Sequence, residues 1–134
     1  MRFPNRFAGK VALLTGSASS LKGELMGFGG ATVWRFLEEG GRGVVITDVQ
    51  DEVGESAALQ LRNEGYDAIY LHLDVTDEDE WDSAVSTTMK HFGRIDILVN
   101  IAGILDPKSI LDIEPSIWKK TMEISTVGIF LGTR

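Results

Sequence analysis

Glycines at the start of a helical pattern could bring backbone amides against a phosphate group. Gly16 directly follows the apolar run KVALLT, and Gly27 and Gly29 open the next helical pattern. A side chain at these positions would keep the amides away from a dinucleotide pyrophosphate, so such a site needs glycine there. A glycine-rich turn between a strand and a helix explains the same residues, and the pattern alone does not decide between the two interpretations.

Acidic residues follow the second and third apolar runs of the chain. Asp48 closes the run GVVITD, where a carboxylate can accept hydrogen bonds from both ribose hydroxyls of an adenosine and repels a 2′-phosphate. This charge favours NAD over NADP. Asp74, followed by Val75, could meet an adenine amino group. The alternative for both acids is a role in a turn, although Asp51 offers a separate cap for the helix after Asp48.

Small residues follow the fourth apolar run, RIDILVN. They form the segment Asn100-Ile101-Ala102-Gly103, in which little side-chain volume stands in the way of a ribose. Each of these four signals is modest, but all four come directly after an apolar run.

The apolar runs are typical of strands buried on both faces, as in a parallel sheet. They cover residues 10–15, 43–48, 68–75 and 94–100. Helical patterns lie between them. The first follows Gly29 and ends at Gly40, the second covers 51–64, the third has Thr76 as its expected N-cap and ends at Gly93, and the last begins near Pro115.

This alternation predicts right-handed crossovers and an α/β fold with helices on both faces of a parallel sheet. In such sheets ligands bind beyond the carboxyl ends of the strands. The glycines, the acids and the small residues named above all fall at that edge, so we expect one nucleotide crevice there.

Composition excludes several other classes of function. The 134 residues suit one domain, and a net charge of −7 disfavours nucleic-acid binding. The chain has no cysteine, which excludes disulfides and zinc sites built on thiolates. His72 and His91 lack metal-ligand partners at helical spacing, so we expect no metal. With neither a signal peptide nor an apolar run of membrane length, we expect a cytoplasmic protein that does not associate with membranes.

Over essentially its whole length the chain resembles the short-chain dehydrogenase/reductase family. The matching segments, in order, are GKVALLTGSAS, GFGGATVWRFLEEGGRGVVITDV, LHLDVTDEDEW, FGRIDILVNIAGI and WKKTMEISTVGIFLGTR. The resemblance implies a Rossmann-type three-layer fold with strand order 3-2-1-4, incomplete at the strand-4 edge. It also implies an NAD(P)-dependent oxidoreductase that interconverts a small-molecule alcohol and a ketone by hydride transfer.

The resemblance also implies roles for individual residues. Gly16, Gly27, Phe28 and Gly29 would line the pyrophosphate; Asp48 and Val49 would meet the adenosine ribose; Asp74 and Val75 would meet the adenine; and Asn100, Ala102 and Gly103 would flank the cofactor. Ser125 stands where the family has an asparagine that helps hold a water in the catalytic proton relay. Ile101 stands where the family usually has a second asparagine.

The glycine loop departs from the family pattern. Its second glycine is expected four residues after Gly16, where this chain has Ser20, and alignment treats residues 20–26 (Ser20 to Met26) as an insertion. Two hypotheses follow. The segment bulges outward and leaves a weakened site, or it extends the first helix backward and fills the site.

The family's catalytic Tyr-x-x-x-Lys segment is expected beyond residue 134. Tyr66 and Tyr70 are the only tyrosines, and neither has a lysine four residues later. We therefore interpret residues 1–134 as a single, partial NAD(P)-binding domain, inactive alone and homo-oligomeric if full length. We also expect its fourth strand to form an aggregation-prone edge. Two alternatives stay open: a non-catalytic nucleotide-binding module or truncated isoform that acts by binding, and an unrelated α/β domain of the flavodoxin or response-regulator type.

Overall fold

A computed structural model describes residues 4–134, in which strands and helices alternate along the chain. The elements are β1 (Val11–Thr15), α1 (Phe28–Glu38), β2 (Gly43–Asp48), α2 (Asp51–Asn63), β3 (Ala68–His72), α3 (Glu78–Phe92), β4 (Ile97–Val99) and α4 (Pro115–Thr133). The four strands form one parallel sheet in the order β3-β2-β1-β4. The predicted α/β fold and strand order are confirmed.

The register of the sheet brings the carboxyl ends of its strands level. Thr15 pairs with Thr47, Leu14 with Val99, and Asp48 with His72. Residues that directly follow the strands therefore lie side by side along one edge of the sheet.

Apolar side chains of β1 serve both faces of the sheet, which explains why this strand is a continuous apolar run. Leu14 belongs to a core that also holds Trp34 of α1 and Leu61 of α2. Leu13 belongs to a second core that holds Trp81 and Phe92 of α3. Helices on both faces thus bury the sheet and make a three-layer structure.

Two strands are several residues shorter than predicted, and polar side chains form hydrogen bonds next to their ends. Before β4, the Asp96 carboxylate accepts the Val11 backbone N–H at 2.8 Å, so pairing as a strand begins only at Ile97. Beyond β3, the Asp74 carboxylate accepts both the N–H and the hydroxyl of Thr76, at 3.0 and 2.7 Å. This turn carries the chain away from the sheet.

The same turn corrects the predicted cap of α3. The N-cap is Asp77, whose carboxylate accepts the Glu80 N–H at 3.0 Å, whereas the Thr76 hydroxyl is engaged by Asp74. The end of the helix is as predicted: Gly93 adopts the left-handed conformation, with φ of 76°.

Helix α4 is the least buried element of the fold. Within the described residues, Gly128 is its one fully buried position, packed against Val75, and large apolar side chains such as Trp118 and Phe130 are exposed. Among residues 4–134, no helix combines the length and the apolarity needed to cross a membrane.

Candidate functional site

A crevice of about 390 Å³ opens at the carboxyl edge of the sheet. This volume lies in the range typical of small-molecule sites. Residues that follow all four strands line it, and α4 closes one side through Lys120 and Ile124. Predicted cofactor residues among the lining are Gly16, Gly27, Asp48, Val49, Asp74, Val75, Ala102 and Gly103.

The structure places the other predicted site residues outside this lining. The Phe28 side chain is 88% exposed and lines a separate apolar hollow beside Arg35 and Ile97. Gly29 lies beneath the glycine loop, and the Asn100 amide oxygen faces Gly132 of α4. Ser125 is exposed on α4. Any contact of these four with a cofactor stays a prediction.

Gly16 lets the ends of β1 and β4 approach each other. Its φ is +61°, and a Cβ there would lie 2.6 Å from the Ala102 Cα. Gly29 packs as closely, because a Cβ there would lie 2.4 Å from the Gly16 carbonyl oxygen. Glycine is therefore required at both positions by backbone packing within the fold itself, before any ligand is considered.

Gly27 differs from these two glycines because open space lies in front of it. Apart from its two chain neighbours, no heavy atom of the described residues lies within 4 Å of the position that its Cβ would take. It is the N-cap of α1 and provides no side-chain acceptor. The amides of the first helical turn therefore lack a side-chain cap and can bind an anion in the crevice.

The long connection between β1 and α1 runs outward from the crevice. Gly16, Ser19 and Gly27 of this connection line the crevice, whereas residues 20–26 do not. Helix α1 begins at Phe28, so the hypothesis that residues 20–26 extend this helix backward and fill the site is wrong. Ser20 at the start of the segment is buried, whereas Leu25 at its tip is 97% exposed; a weakened site stays a prediction.

Backbone amides hold the Asp48 carboxylate at the crevice. Its Oδ1 accepts the N–H of Val49 at 2.9 Å and that of Gln50 at 3.3 Å, and its Oδ2 accepts the Ala18 N–H at 3.1 Å. Asp48 thus makes the turn before α2, which was the alternative interpretation of this residue. A carboxylate offers about four lone-pair sites, so these three bonds leave one site for a ribose hydroxyl.

Asp51 does not cap α2 as expected. The N-cap is Gln50, without a side-chain bond, and Asp51 instead accepts from the Tyr70 hydroxyl and contacts His72 Nδ1, each at 2.7 Å. Hydrogen bonds from His72 and Tyr70 lower the pKa of Asp51, and the bond to Asp51 raises the pKa of His72. Burial, followed by the bond to Asp51, raises the pKa of Tyr70 well above its ordinary value.

The Asp74 carboxylate also has partners within the protein. Its hydrogen bonds from the Thr76 N–H and hydroxyl lower its pKa, and the charge of Lys120 contributes further. Its own N–H donates to Glu80 Oε2 at 2.6 Å. Asp74 therefore makes the turn that was its alternative interpretation, at the rim of the crevice.

Thr15 joins the end of β1 to the segment after β4 at the base of the crevice. Sequence analysis missed this residue. Its hydroxyl accepts the N–H of Ile101 at 3.0 Å and that of Ala102 at 3.1 Å. The Ile101 side chain packs against the core beneath. A threonine at the last position of an otherwise apolar strand is the sequence feature that could have indicated this role.

Sequence analysis also missed Lys120 and Ile124, because α4 comes far later in the chain and nothing in its pattern indicates which of its residues face the sheet edge.

Within the described part of the chain, no group of three or more His, Asp or Glu side chains could hold a metal ion.

A parallel sheet in the order 3-2-1-4, with a crevice at its carboxyl edge, defines a Rossmann-like α/β protein. A sequence profile described as short chain dehydrogenase matches residues 10–134. The chain belongs to that family.

Named relatives share more than a third of the aligned residues. A 2,5-dichloro-2,5-cyclohexadiene-1,4-diol dehydrogenase of Sphingobium indicum is 38% identical over 130 residues, which cover 97% of this chain and 49% of the relative. A cyclopentanol dehydrogenase of a Comamonas species is 38% identical over 125 residues, covering 93% of this chain and 47% of the relative. The chain thus spans about half the length of the relatives it matches.

A solved structure shows the same fold. The 3-ketoacyl-(acyl-carrier-protein) reductase of Brucella melitensis, complexed with NADH, superposes with a TM-score of 0.76. It is 34% identical, and the match covers 95% of this chain and 48% of the reductase.

Proposed function

We propose that this chain is the dinucleotide-binding part of an NAD-dependent oxidoreductase that interconverts a small-molecule alcohol and a ketone by hydride transfer. In this proposal residues 1–134 form a single, partial domain, and the whole protein is a cytoplasmic homo-oligomer. The nicotinamide would supply the hydride acceptor for the alcohol carbon while the hydroxyl proton is released to water, and the reverse reaction would take up both.

One observation carries the proposal: the convergence of Gly16, Gly27 and Asp48 on a single crevice. Gly16 and Gly27 are the two ends of the long β1–α1 connection and Asp48 is the last residue of β2, yet all three line the same space. The match to a reductase solved with NADH supports the same ligand class.

The residues present fit an adenine dinucleotide. Open space at Gly27 and the uncapped first turn of α1 suit the pyrophosphate, because no side chain intervenes and the helix dipole favours negative charge. Asp48 suits a ribose hydroxyl, and Asp74 with Val75 suits the adenine. The Asp48 charge supports NAD over NADP, because it would stand against a 2′-phosphate.

Titration of the purified chain with NADH and NADPH tests this proposal, followed by nicotinamide fluorescence. We expect saturable binding of NADH and weaker binding of NADPH. Failure to bind either nucleotide at millimolar concentration would remove the proposal.

A second candidate is a nucleotide-binding module that does no chemistry. The positions of the two tyrosines agree with this candidate as well as with a cofactor part that is inactive alone. Tyr70 is hydrogen-bonded to Asp51 and has a raised pKa, and Tyr66 packs against Trp34. Of the residues that the structure describes, neither tyrosine lines the crevice, and a general acid or base needs a pKa near the working pH.

Turnover by this chain would exclude the module that does no chemistry. The chain should be incubated with NAD and cyclic secondary alcohols, the substrate type that the names of its relatives indicate, and NADH formation followed at 340 nm. Binding without turnover supports a module, or a cofactor part inactive alone. If turnover occurs, loss of rate in Ser125→Ala would support the proposed relay role of Ser125.

A further inference from the structure

The connection between β1 and α1 is unusually long and is held by contacts far along the chain. It covers residues 16–27, whereas strand-to-helix loops in α/β units are typically about 2–6 residues. A loop of this length beside a ligand site needs its own anchors if it is to stay off that site.

Lys22 supplies three such anchors. Its backbone N–H donates to Gln60 Oε1 at 2.8 Å, and its ammonium lies 3.1 Å from Glu64 Oε2. The same ammonium lies 3.7 Å from the centroid of the Trp34 ring, within the range of a cation–π interaction. One residue therefore joins the loop to both α1 and α2.

The residues just before Lys22 complete this attachment. The Trp34 indole N–H donates to the Ser20 carbonyl oxygen at 2.6 Å, and the Ser20 hydroxyl donates to the Ser17 carbonyl oxygen. Trp34 therefore holds the loop at its ring face and at its N–H. Beyond Lys22 the loop reaches solvent, where Leu25 is 97% exposed, and it returns at Gly27.

We propose that Lys22 is a positioning residue that holds residues 20–26 against α2, and thereby keeps Gly27 and the first turn of α1 open to the dinucleotide. This inference rests on the proposed function. Without the anchor, the loop would visit positions over the crevice, and apparent affinity would fall with the fraction of molecules in which the crevice is open.

The test compares Lys22→Met, Lys22→Arg and the control Lys90→Met in the full chain. Lys90 is exposed on α3, so its substitution makes the same chemical change away from the loop. Arginine at position 22 keeps the cation for Trp34 and Glu64. The readouts are the dissociation constant for NADH, backbone hydrogen exchange of residues 20–26 in the free protein, and circular dichroism as a check of folding.

We expect Lys22→Met to raise the dissociation constant for NADH about threefold to tenfold, because the fraction of molecules with an open crevice would fall by the same factor. Backbone hydrogen exchange in residues 20–26 should become faster. Lys22→Arg should restore both values towards the parent, and Lys90→Met should change neither. Unchanged exchange in Lys22→Met would show that the Lys22 ammonium does not anchor the loop, because the backbone bond to Gln60 is kept in this variant. Faster exchange with unchanged affinity for NADH would show that the released loop does not cover the crevice. A parent chain that does not bind NADH overturns the proposed function, and the exchange data then still decide whether Lys22 anchors the loop.

Discussion

The backbone N–H of Ala18 donates to Oδ2 of Asp48 at 3.1 Å. This bond joins the loop after β1 to the acid at the end of β2. It means that the orientation of the Asp48 carboxylate depends on the conformation of the glycine loop, so that the proposed pyrophosphate and ribose subsites are built as one unit.

Asp48 should decide the choice between the two nicotinamide dinucleotides. We expect Asp48→Ser to weaken NADH binding about tenfold or more, because hydrogen bonds to a charged acceptor contribute about 1.5–3 kcal/mol. NADPH binding should improve as the repelling charge is lost. The ratio of the two dissociation constants, measured on one preparation, is independent of the active fraction, and an unchanged ratio would contradict the assignment.

Substitution of Gly29 or Gly27 by alanine adds the same methyl group but should change different properties. At Gly29 it should lower stability, and at Gly27 it should lower affinity for NADH. Gly29→Ala places the Cβ 2.4 Å from the Gly16 carbonyl oxygen, so we expect a loss of about 1–3 kcal/mol in the free energy of unfolding. The methyl of Gly27→Ala meets no atom within 4 Å among the residues that the structure describes, its chain neighbours aside, and should leave stability within about 0.5 kcal/mol of the parent.

Urea denaturation and NADH titration of both variants measure this difference. Gly27→Ala should fold normally but bind NADH more weakly, since its methyl occupies the space proposed for the pyrophosphate. Equal affinity in Gly27→Ala and the parent would place the pyrophosphate elsewhere.

Thr15 should matter for stability through its hydroxyl alone. Thr15→Val leaves the part-buried N–H groups of Ile101 and Ala102 without their acceptor, at a cost of about 1–3 kcal/mol. Thr15→Ser keeps the acceptor and is the control. Urea denaturation should rank the parent and the serine variant together, above the valine variant, and a valine variant as stable as the serine variant would refute the role of the hydroxyl.

The His72–Asp51 contact should make stability depend on pH. Asp51 raises the pKa of His72 above 6.5, so this stabilisation is present below that value and is lost as pH rises through the folded-state pKa. The pKa of Asp51 is lowered by the same contact, so the contribution of Asp51 to stability is lost as pH falls below about 4.

We therefore expect the difference in melting temperature between the parent and His72→Gln to be largest near about pH 5–6. It should shrink above pH 7 and below pH 4. Thermal melts across this range provide the measurement, and a difference that is constant with pH would show that the contact makes no ionic contribution.

The free edge of β4 should drive self-association of this chain when it is expressed alone. Within the described residues β4 pairs with β1 only, and Ile97 and Val99 face an apolar hollow. Sedimentation should show concentration-dependent oligomers, and Ile97→Lys, which adds a charge at the edge, should reduce them. A monomeric parent with a sharp, cooperative melt would contradict this prediction.

Much of the fold could be predicted because its signals are local or come with the family resemblance. The buried strands are visible as continuous apolar runs, and Gly93 marks the end of α3. The strand order was supplied by the resemblance. The edge on which Gly16, Asp48 and Asp74 gather follows from the alternation of strands and helices.

The remaining features depend on contacts between distant residues. Nothing near Lys22 in sequence shows that Gln60 and Glu64 will hold it, and these partners lie 38 and 42 residues away. The N-cap of α3 was misassigned because Asp74 competes for the Thr76 hydroxyl. The outward direction of the Phe28 side chain was likewise not encoded in the glycine pattern.

The exposed tip of the loop at Leu25 provides a place to attach a reporter. Because the chain contains no cysteine, Leu25→Cys would introduce a unique thiol, and maleimide chemistry would label that position alone. A dye there would sit on the solvent side of the loop, away from the dinucleotide crevice, so its emission could follow the loop's motion in single molecules while the cofactor binds undisturbed.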